Sequence, residues 1–313
     1  MTVVRKTWGT REVHEYLQAD WTDMPDLMRG DYIPLDSDGK QKPNNASVFK
    51  ETKRCVKGTN AQWYGGIKSW AEVERFVRDG WPEGVLRARP MLDELQVLVT
   101  GRLESIKPFW KSDDNGSHHR WERELDGDHD VAWRRRVRRK TTGNNVISLG
   151  VQFGGHCGVT DKQYFWCGAQ MAVAVDLLEQ AGFEVEVRAI VLSHFDFSPT
   201  NTQIFEVVGK RAGDAPNLNN IMALTGHVGI YRTLGFLGFA CGESNKGYGW
   251  GRDVTSGQNE MIARYVDDAP MDPFDAMLPL AYDEASAAKN VRAVLAKVGK
   301  TADVEIFDGA EGY

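Results

Sequence analysis

Cysteine is scarce in this chain. Its 313 residues hold four, Cys55, Cys157, Cys167 and Cys241, irregularly spaced and with no Cys-x-x-Cys pair. That spacing excludes a disulfide framework and a cysteine zinc site. Buried free thiols are the expected role, because an unpaired cysteine behaves as a small hydrophobe. Long apolar runs are also missing. No stretch approaches the roughly 20 residues that span a bilayer, so no membrane partner is expected. The first residues, MTVVRKTW, lack the apolar core of a signal peptide. The expected location is therefore cytoplasmic. No internal repeat of fixed period is present.

Hydrophobic residues make up 42% and charged residues 26% of the chain, which fits a globular protein of one large or two ordinary domains. The net charge of −6 conceals an asymmetry. Residues 1–145 carry 26 basic and 23 acidic side chains, whereas residues 146–313 carry 12 and 21. Eight of the ten tryptophans lie in the first part. Two differently built regions, 1–145 and 146–313, are therefore expected.

Residues 1–60 read as polar and broken, with a loop over 31–46 (DYIPLDSDGKQKPNNA). Ser69 and Glu72 fit a capping box opening a helix with Trp70, Val73, Phe76 and Val77 on one face. Gly80 stops it, and Trp81-Pro82-Glu83-Gly84 leads into a second helix over 89–101. After a linker-like Thr141–Asn145, the pattern changes. Val146–Phe153 is an apolar run of strand length. A helix over 164–181 follows, with Asp161 read as its N-cap. Strands are expected at 184–192, 202–210, 276–281 and 303–307, and helices at 217–224, 228–241 and 284–298. The fold class implied is α/β: a doubly wound, mostly parallel sheet preceded by a mainly helical, Trp-rich N-terminal region.

The apolar strand at 146, the small-residue loop after it, the small-residue helix and the strand Ala172–Val187 (AVAVDLLEQAGFEVEV) together resemble the opening of a von Willebrand factor A-like domain. The whole chain resembles a family of tailed-phage and prophage proteins. That likeness rests on the helix–GWPEG–helix unit at 69–98, the LDGDHDV turn at 125–131 and the degenerate A-like part, and covers roughly 65–300. It implies a fold and a phage context, with no reaction attached.

A-like domains commonly hold a divalent metal through an Asp-x-Ser-x-Ser loop of hard oxygen ligands. The corresponding loop here, Gln152, Phe153, Gly154, Gly155 and His156, has neither carboxylate nor hydroxyl. No metal and no cofactor is expected. Gly154, Gly155 and Gly158 do not match a phosphate-binding pattern, and a tight strand-to-helix turn explains them. Asp126, Asp128 and Asp130 alternate like the start of an EF-hand loop. Their glycine, Gly127, comes too early, and the twelfth position is Val137. His118 and His119 are neighbours that point apart on an extended chain.

Cys157 is the one candidate nucleophile. It stands at the end of the first strand with His156, and His194 and Asp196 follow the second strand at the same expected edge. A nucleophile elbow needs G-x-C-x-G leading straight into a helix, and Val159 breaks that pattern. The run Trp133, Arg134, Arg135, Arg136, Arg138, Arg139 and Lys140 could bind phosphates beside a stacking ring. Five nearby acids, Glu122 to Asp130, and the acidic second part offer an internal counter-charge instead. The expectation is a non-enzymatic protein-interaction or scaffold protein of phage or prophage origin, with a protein partner, in the host cytoplasm or the virion. A Cys157-dependent hydrolase or transferase is the alternative. Nucleic-acid binding through Arg134–Lys140 is a further one, not favoured.

Overall fold

The computed structural model describes residues 2–8, 12–56, 62–103, 109–112, 118–119, 133–137, 146–155, 158–193, 203–242, 250–252 and 273–301. In the first part come β1 (Thr2–Trp8), β2 (Glu12–Asp20), α1 (Met24–Arg29), α2 (Pro43–Val56), α3 (Trp70–Asp79) and α4 (Pro82–Leu103). Three short strands follow, β3 (Phe109–Ser112), β4 (His118–His119) and β5 (Trp133–Val137). The second part opens with β6 (Val146–Gln152), α5 (Asp161–Gln180), β7 (Glu184–Ser193) and β8 (Gln203–Lys210). After these come α6 (Leu218–Gly226), α7 (Val228–Ile230), a π-helical turn Tyr231–Gly235 and α8 (Phe236–Ala240). The last elements are β9 (Trp250–Arg252), β10 (Ala276–Leu278) and α9 (Glu284–Thr301).

The fold is mixed α/β. Among the described residues the main sheet has seven strands in the order β1-β2-β8-β7-β6-β10, with β9 on β7. In its five-stranded core, β2-β8-β7-β6-β10, only the β7/β8 ladder is antiparallel. β1 and β9 add antiparallel pairs at β2 and at the end of β7. A separate three-stranded antiparallel sheet has the order β3-β5-β4.

Strand alternation explains how the main sheet packs. Leu149, Val187, Ala189, Val207, Phe205 and Leu17 occupy successive register-matched positions on one face. Helices cover that face at very short range. A Cβ on Gly238 of α8 would lie 2.2 Å from the Phe205 ring, and one on Gly209 would lie 2.9 Å from Leu224 of α6. Next to α6 runs α5, and a Cβ on Gly168 would fall 2.4 Å from the Gly226 Cα. The helix α5 is buried nearly all round, which fits a helix enclosed by sheet, α6, α9 and α4. Along it, Phe165, Ala169, Ala172, Val173, Leu177 and Leu178 are all buried.

Three observations bear on these expectations. Among the described residues, α5, α6 and α8 sit together on one face of the sheet. The other face sets Ser148, Arg188 and Glu206 among Ile190, Leu192 and Ile204, and of these all but Ser148 are buried. Second, the N-terminal region is not simply helical. Its β2 pairs with β8 along Glu15–Asp20, and one continuous core runs from Leu17 to Val298. Polar residues at alternate positions of Glu12–Asp20 disguise a strand that is half buried. Third, Thr160 rather than Asp161 caps α5: its Oγ accepts from the Gln163 amide, and the Gln163 side chain accepts from the Thr160 amide. A hydroxyl one residue earlier reaches the third amide, while Asp161 takes the first helical position.

Other expectations match closely. Ser69 caps α3, accepting from the Glu72 amide at 3.3 Å. Glu72 returns its carboxylate to the Lys68 amide rather than to Ser69. Val73 and Phe76 are buried, with Trp70 and Val77 packed beside them. The expected helix at 89–101 starts earlier, at Pro82, and accommodates Pro90. The expected strand at 303–307 lies outside the described residues.

Candidate functional site

Open sheets place their sites where strands end, so the edge after β6 and β7 is the first place to look. Gln152 closes β6 and is fully buried. Its Nε2 donates to the Gly154 carbonyl at 3.0 Å. The Phe153 amide donates to the Ile190 carbonyl, holding the loop to β7. Gly154 has φ 147°, and a Cβ there would come within 2.9 Å of Tyr231 and Val191. Glycine is therefore required by both conformation and space. Gly155 packs against Val159.

Behind this loop stands an aromatic wall. The Tyr231 ring stacks on Tyr164 at 6.1 Å and meets Phe153 edge-on at 5.7 Å and Phe236 edge-on at 5.5 Å. Tyr164 and Phe153 are fully buried. Burial holds the Tyr164 hydroxyl well above its ordinary pKa, against a smaller opposing pull from the Gly154 backbone. Arg232 ties the wall to the N-terminal part. Its guanidinium donates to the carbonyls of Val159 and Trp63, and lies 3.7 Å over the Trp63 ring.

A second polar knot lies at the same edge, because β8 runs opposite to β7 and so begins there. Glu15 and Gln203 are register partners, both buried, joined by a 2.8 Å bond from Gln203 Nε2 to Glu15 Oε2. Asn45 of α2 donates to the carbonyls of Ala240 and Gly242, fastening the end of α8 over them. Burial, and then the nearby Glu15, push the Cys241 thiol up to about 12. Cys241 and Cys167 are buried thiols outside any disulfide among the described residues, as composition led us to expect.

The tryptophans form a seam. Trp81 meets His227 edge-on at 4.8 Å and Phe165 at 6.0 Å, and Phe76 lies 4.4 Å from His227. Arg87 covers Phe165 at 4.1 Å. Burial lowers the His227 pKa to about 4, against an opposing pull from Asp161. Trp63 and Trp81 thus join the N-terminal part to the α/β core. Trp121 lies outside the described residues.

The sequence-derived candidates divide accordingly. Gly154 and Gly155 sit in the loop as expected, and Gln152 is the last residue of β6 before it. His156, Cys157, His194 and Asp196 lie outside the described residues, and so do Arg138, Arg139 and Lys140. Trp133, Arg134, Arg135 and Arg136 belong to β5, the middle strand of the small sheet. His118 and His119 form β4 and face Arg134 and Trp133 in register. Among the described residues no group of three or more His, Cys, Asp or Glu could hold a metal. No described helix is long and apolar enough to cross a membrane.

Sequence reasoning missed Glu15, Arg188, Gln203, Glu206, His227 and Arg232. One signal was available for two of them: Arg188 stands between Val187 and the run Ala-Ile-Val-Leu in β7, and Glu206 between Phe205 and Val207 in β8. A charge in such a strand must be paired if it is buried.

A family model described as a domain of unknown function (DUF7192) matches residues 14–302. No curated protein and no solved structure matches the chain.

Proposed function

Since that match spans most of its length, the chain belongs to the DUF7192 family, and we propose that it is a non-enzymatic protein-interaction or scaffold protein of phage or prophage origin. The filled sheet edge carries the reading. Where an A-like domain would present oxygen ligands, this chain has Gln152 bonded to its own loop and the rings of Phe153, Tyr164 and Tyr231 packed behind it. The order β6, loop, α5, β7, with β6 and β7 parallel, supports a degenerate A-like reading of the second part. The single core joining both parts supports a rigid body that presents its outer surface to a protein partner. On the resemblance to phage proteins, the proposed partner is one of the host cytoplasm or the virion.

The test is quantitative mass spectrometry of purified particles and of prophage-induced cell lysate, with the tagged full chain as bait. A stoichiometric companion that re-forms the complex from two purified proteins supports the reading. A monodisperse monomer, without a stoichiometric companion in either fraction, overturns it.

A further inference from the structure

Three pieces of the chain meet at His227. It follows α6 and caps α7, with its Nδ1 accepting from the Gly229 amide at 3.2 Å. Phe76 of α3 lies 4.4 Å from its ring, and Trp81, at the turn into α4, lies 4.8 Å away. The segment 62–67 closes the third side. A Cβ on Gly65 would fall 2.7 Å from Val228 and 3.3 Å from the imidazole, and one on Gly229 would strike the Tyr64 carbonyl. Only 6% of His227 is exposed. The helix resting on it is lightly seated: α3 buries Val73 and Phe76, while α5 buries thirteen residues. An element with so little buried surface can open while the better-packed core stays closed.

We propose that His227 is an acid-operated latch: protonation of its ring releases α3, with the 62–67 segment and the Gly80–Trp81 turn, from the α6–α7 corner, while the sheet and α5 keep their packing. The neutral ring accepts at Nδ1 and so carries its proton at Nε2. A second proton has only Nδ1 to go to, where the Gly229 amide already points. The bond then becomes a contact between two donors. Burial is the largest obstacle to that proton, Asp161 of α5 favours it, and Arg75 of α3 opposes it. The next cations are Arg87 of α4, 5.8 Å over the Trp81 ring, and Arg232 of the π-helical turn, which donates to the Trp63 carbonyl. The 62–67 segment, the Gly80–Trp81 turn and α6 carry no charged residue. One carboxylate among three guanidiniums gives a buried imidazolium less than water does, so the protonated ring favours the open joint. Opening uncovers the rings of Phe76, Trp81 and Phe165. This inference goes beyond the protein-interaction reading and does not depend on it.

The experiment is hydrogen exchange of the full chain, read by peptide mass spectrometry between about pH 8 and pH 5 and divided by the intrinsic rate at each pH. In the open joint the imidazole titrates at its ordinary 6.5, and in the closed joint at about 4. Linkage then raises the opening equilibrium about twentyfold from pH 7 to pH 5, and hardly at all from pH 8 to pH 7. We expect that rise in peptides from 62–81 and no comparable rise in peptides of α5 and β7. His227→Gln keeps an acceptor for the Gly229 amide and takes up no proton, so it should abolish the rise. If that variant does not fold, the unaltered chain decides, because a rise confined to 62–81 and flat above pH 7 marks a group that titrates at 6.5 once opened. The inference is overturned by any of three results: no rise in 62–81, an equal rise throughout α5 and β7, or a rise that persists in His227→Gln.

Discussion

Arg188 and Glu206 meet across the β7/β8 ladder, their Nη1 and Oε1 atoms 3.7 Å apart and both side chains buried. Neither depends on the other alone. Arg188 also pairs with Glu186 at 3.1 Å, donates to Ser148 Oγ and the Pro273 carbonyl, and lies 4.0 Å over the Phe274 ring. Glu206 accepts from the Tyr16 hydroxyl at 2.8 Å and from Gln18 Nε2 at 3.0 Å. The network therefore stitches β2, from the N-terminal part, to β8, β7 and β6.

Removing Arg188 leaves the buried Glu206 carboxylate without the guanidinium that faces it. Arg188→Met should cost about 3–5 kcal/mol of stability. Adding Glu206→Gln should recover at least half of that loss, because an amide still bonds Tyr16 and Gln18 without a charge to strand. Urea unfolding of the single and double variants checks this. Equal stability of the two variants would show that Glu206 does not depend on Arg188.

The crossing of α5 and α6 gives a second expected outcome. Gly168 meets Gly226 backbone to backbone, with a Cβ on Gly168 only 2.4 Å from the Gly226 Cα and 2.5 Å from its amide nitrogen. No flexible side chain is there to give way. Gly168→Ala gains helix propensity worth at most about 1 kcal/mol, yet overpacking costs about 1–3 kcal/mol. The variant should melt several degrees lower. A variant as stable as the parent would mean that the helices can separate freely.

How far these features could be read in advance follows from the reach of the interactions. The Ser69 cap of α3 and the buried stripe of α5 are local, set by residues within one or two turns, and the sequence pattern shows them. Strand β2 was invisible because its inward positions hold Glu15 beside Leu17 and Ala19. Glu15 is held there by a bond from Gln203, 188 residues away. His227 reads as an ordinary helix-start residue, and it acquires its altered pKa only when Phe76 and Trp81 fold over it. The loop at Gln152–Gly155 was placed correctly and its lack of ligands was evident. The ring of Tyr231 that fills it comes from a distant helix, and no local signal announces it.

His227 should also make stability depend on pH. Its folded pKa of about 4 lies below the ordinary value of 6.5, chiefly through burial. Above about pH 6.5 the imidazole is neutral in both states and contributes no slope. As pH falls from about 6.5 towards 4, the unfolded chain takes up a proton that the folded chain does not. Stability is lost through that window, by about 3 kcal/mol at its lower end. Denaturant unfolding from pH 7 to pH 4 should show this loss, and His227→Gln should remove most of it. An unchanged pH profile in the variant would assign the acid sensitivity to other groups.

The thiols allow a last comparison. Cys241 donates to the Leu237 carbonyl at 3.3 Å and feels the charge of Glu15, and Cys167 donates to the Ala281 carbonyl at 3.4 Å. Alkylation requires the thiolate. With its pKa pushed to about 12, Cys241 is almost wholly protonated at about pH 8. Iodoacetamide should therefore modify Cys241 only when the chain opens, so its rate should follow unfolding in rising urea. Glu15 is the smaller of the two causes. Glu15→Gln should lower the Cys241 pKa in part, while burial keeps the thiol slow to react in the folded chain. If the variant were alkylated as fast as an exposed cysteine, charge rather than burial would be holding the thiol protonated. The same linkage has a consequence at high pH. Above about pH 9 the unfolded chain ionises Cys241 and the folded chain does not, so stability falls as pH rises. Peptide mapping by mass spectrometry after timed alkylation reads both thiols in one experiment. Rapid labelling of Cys241 in the folded, unaltered chain would contradict its place under α8.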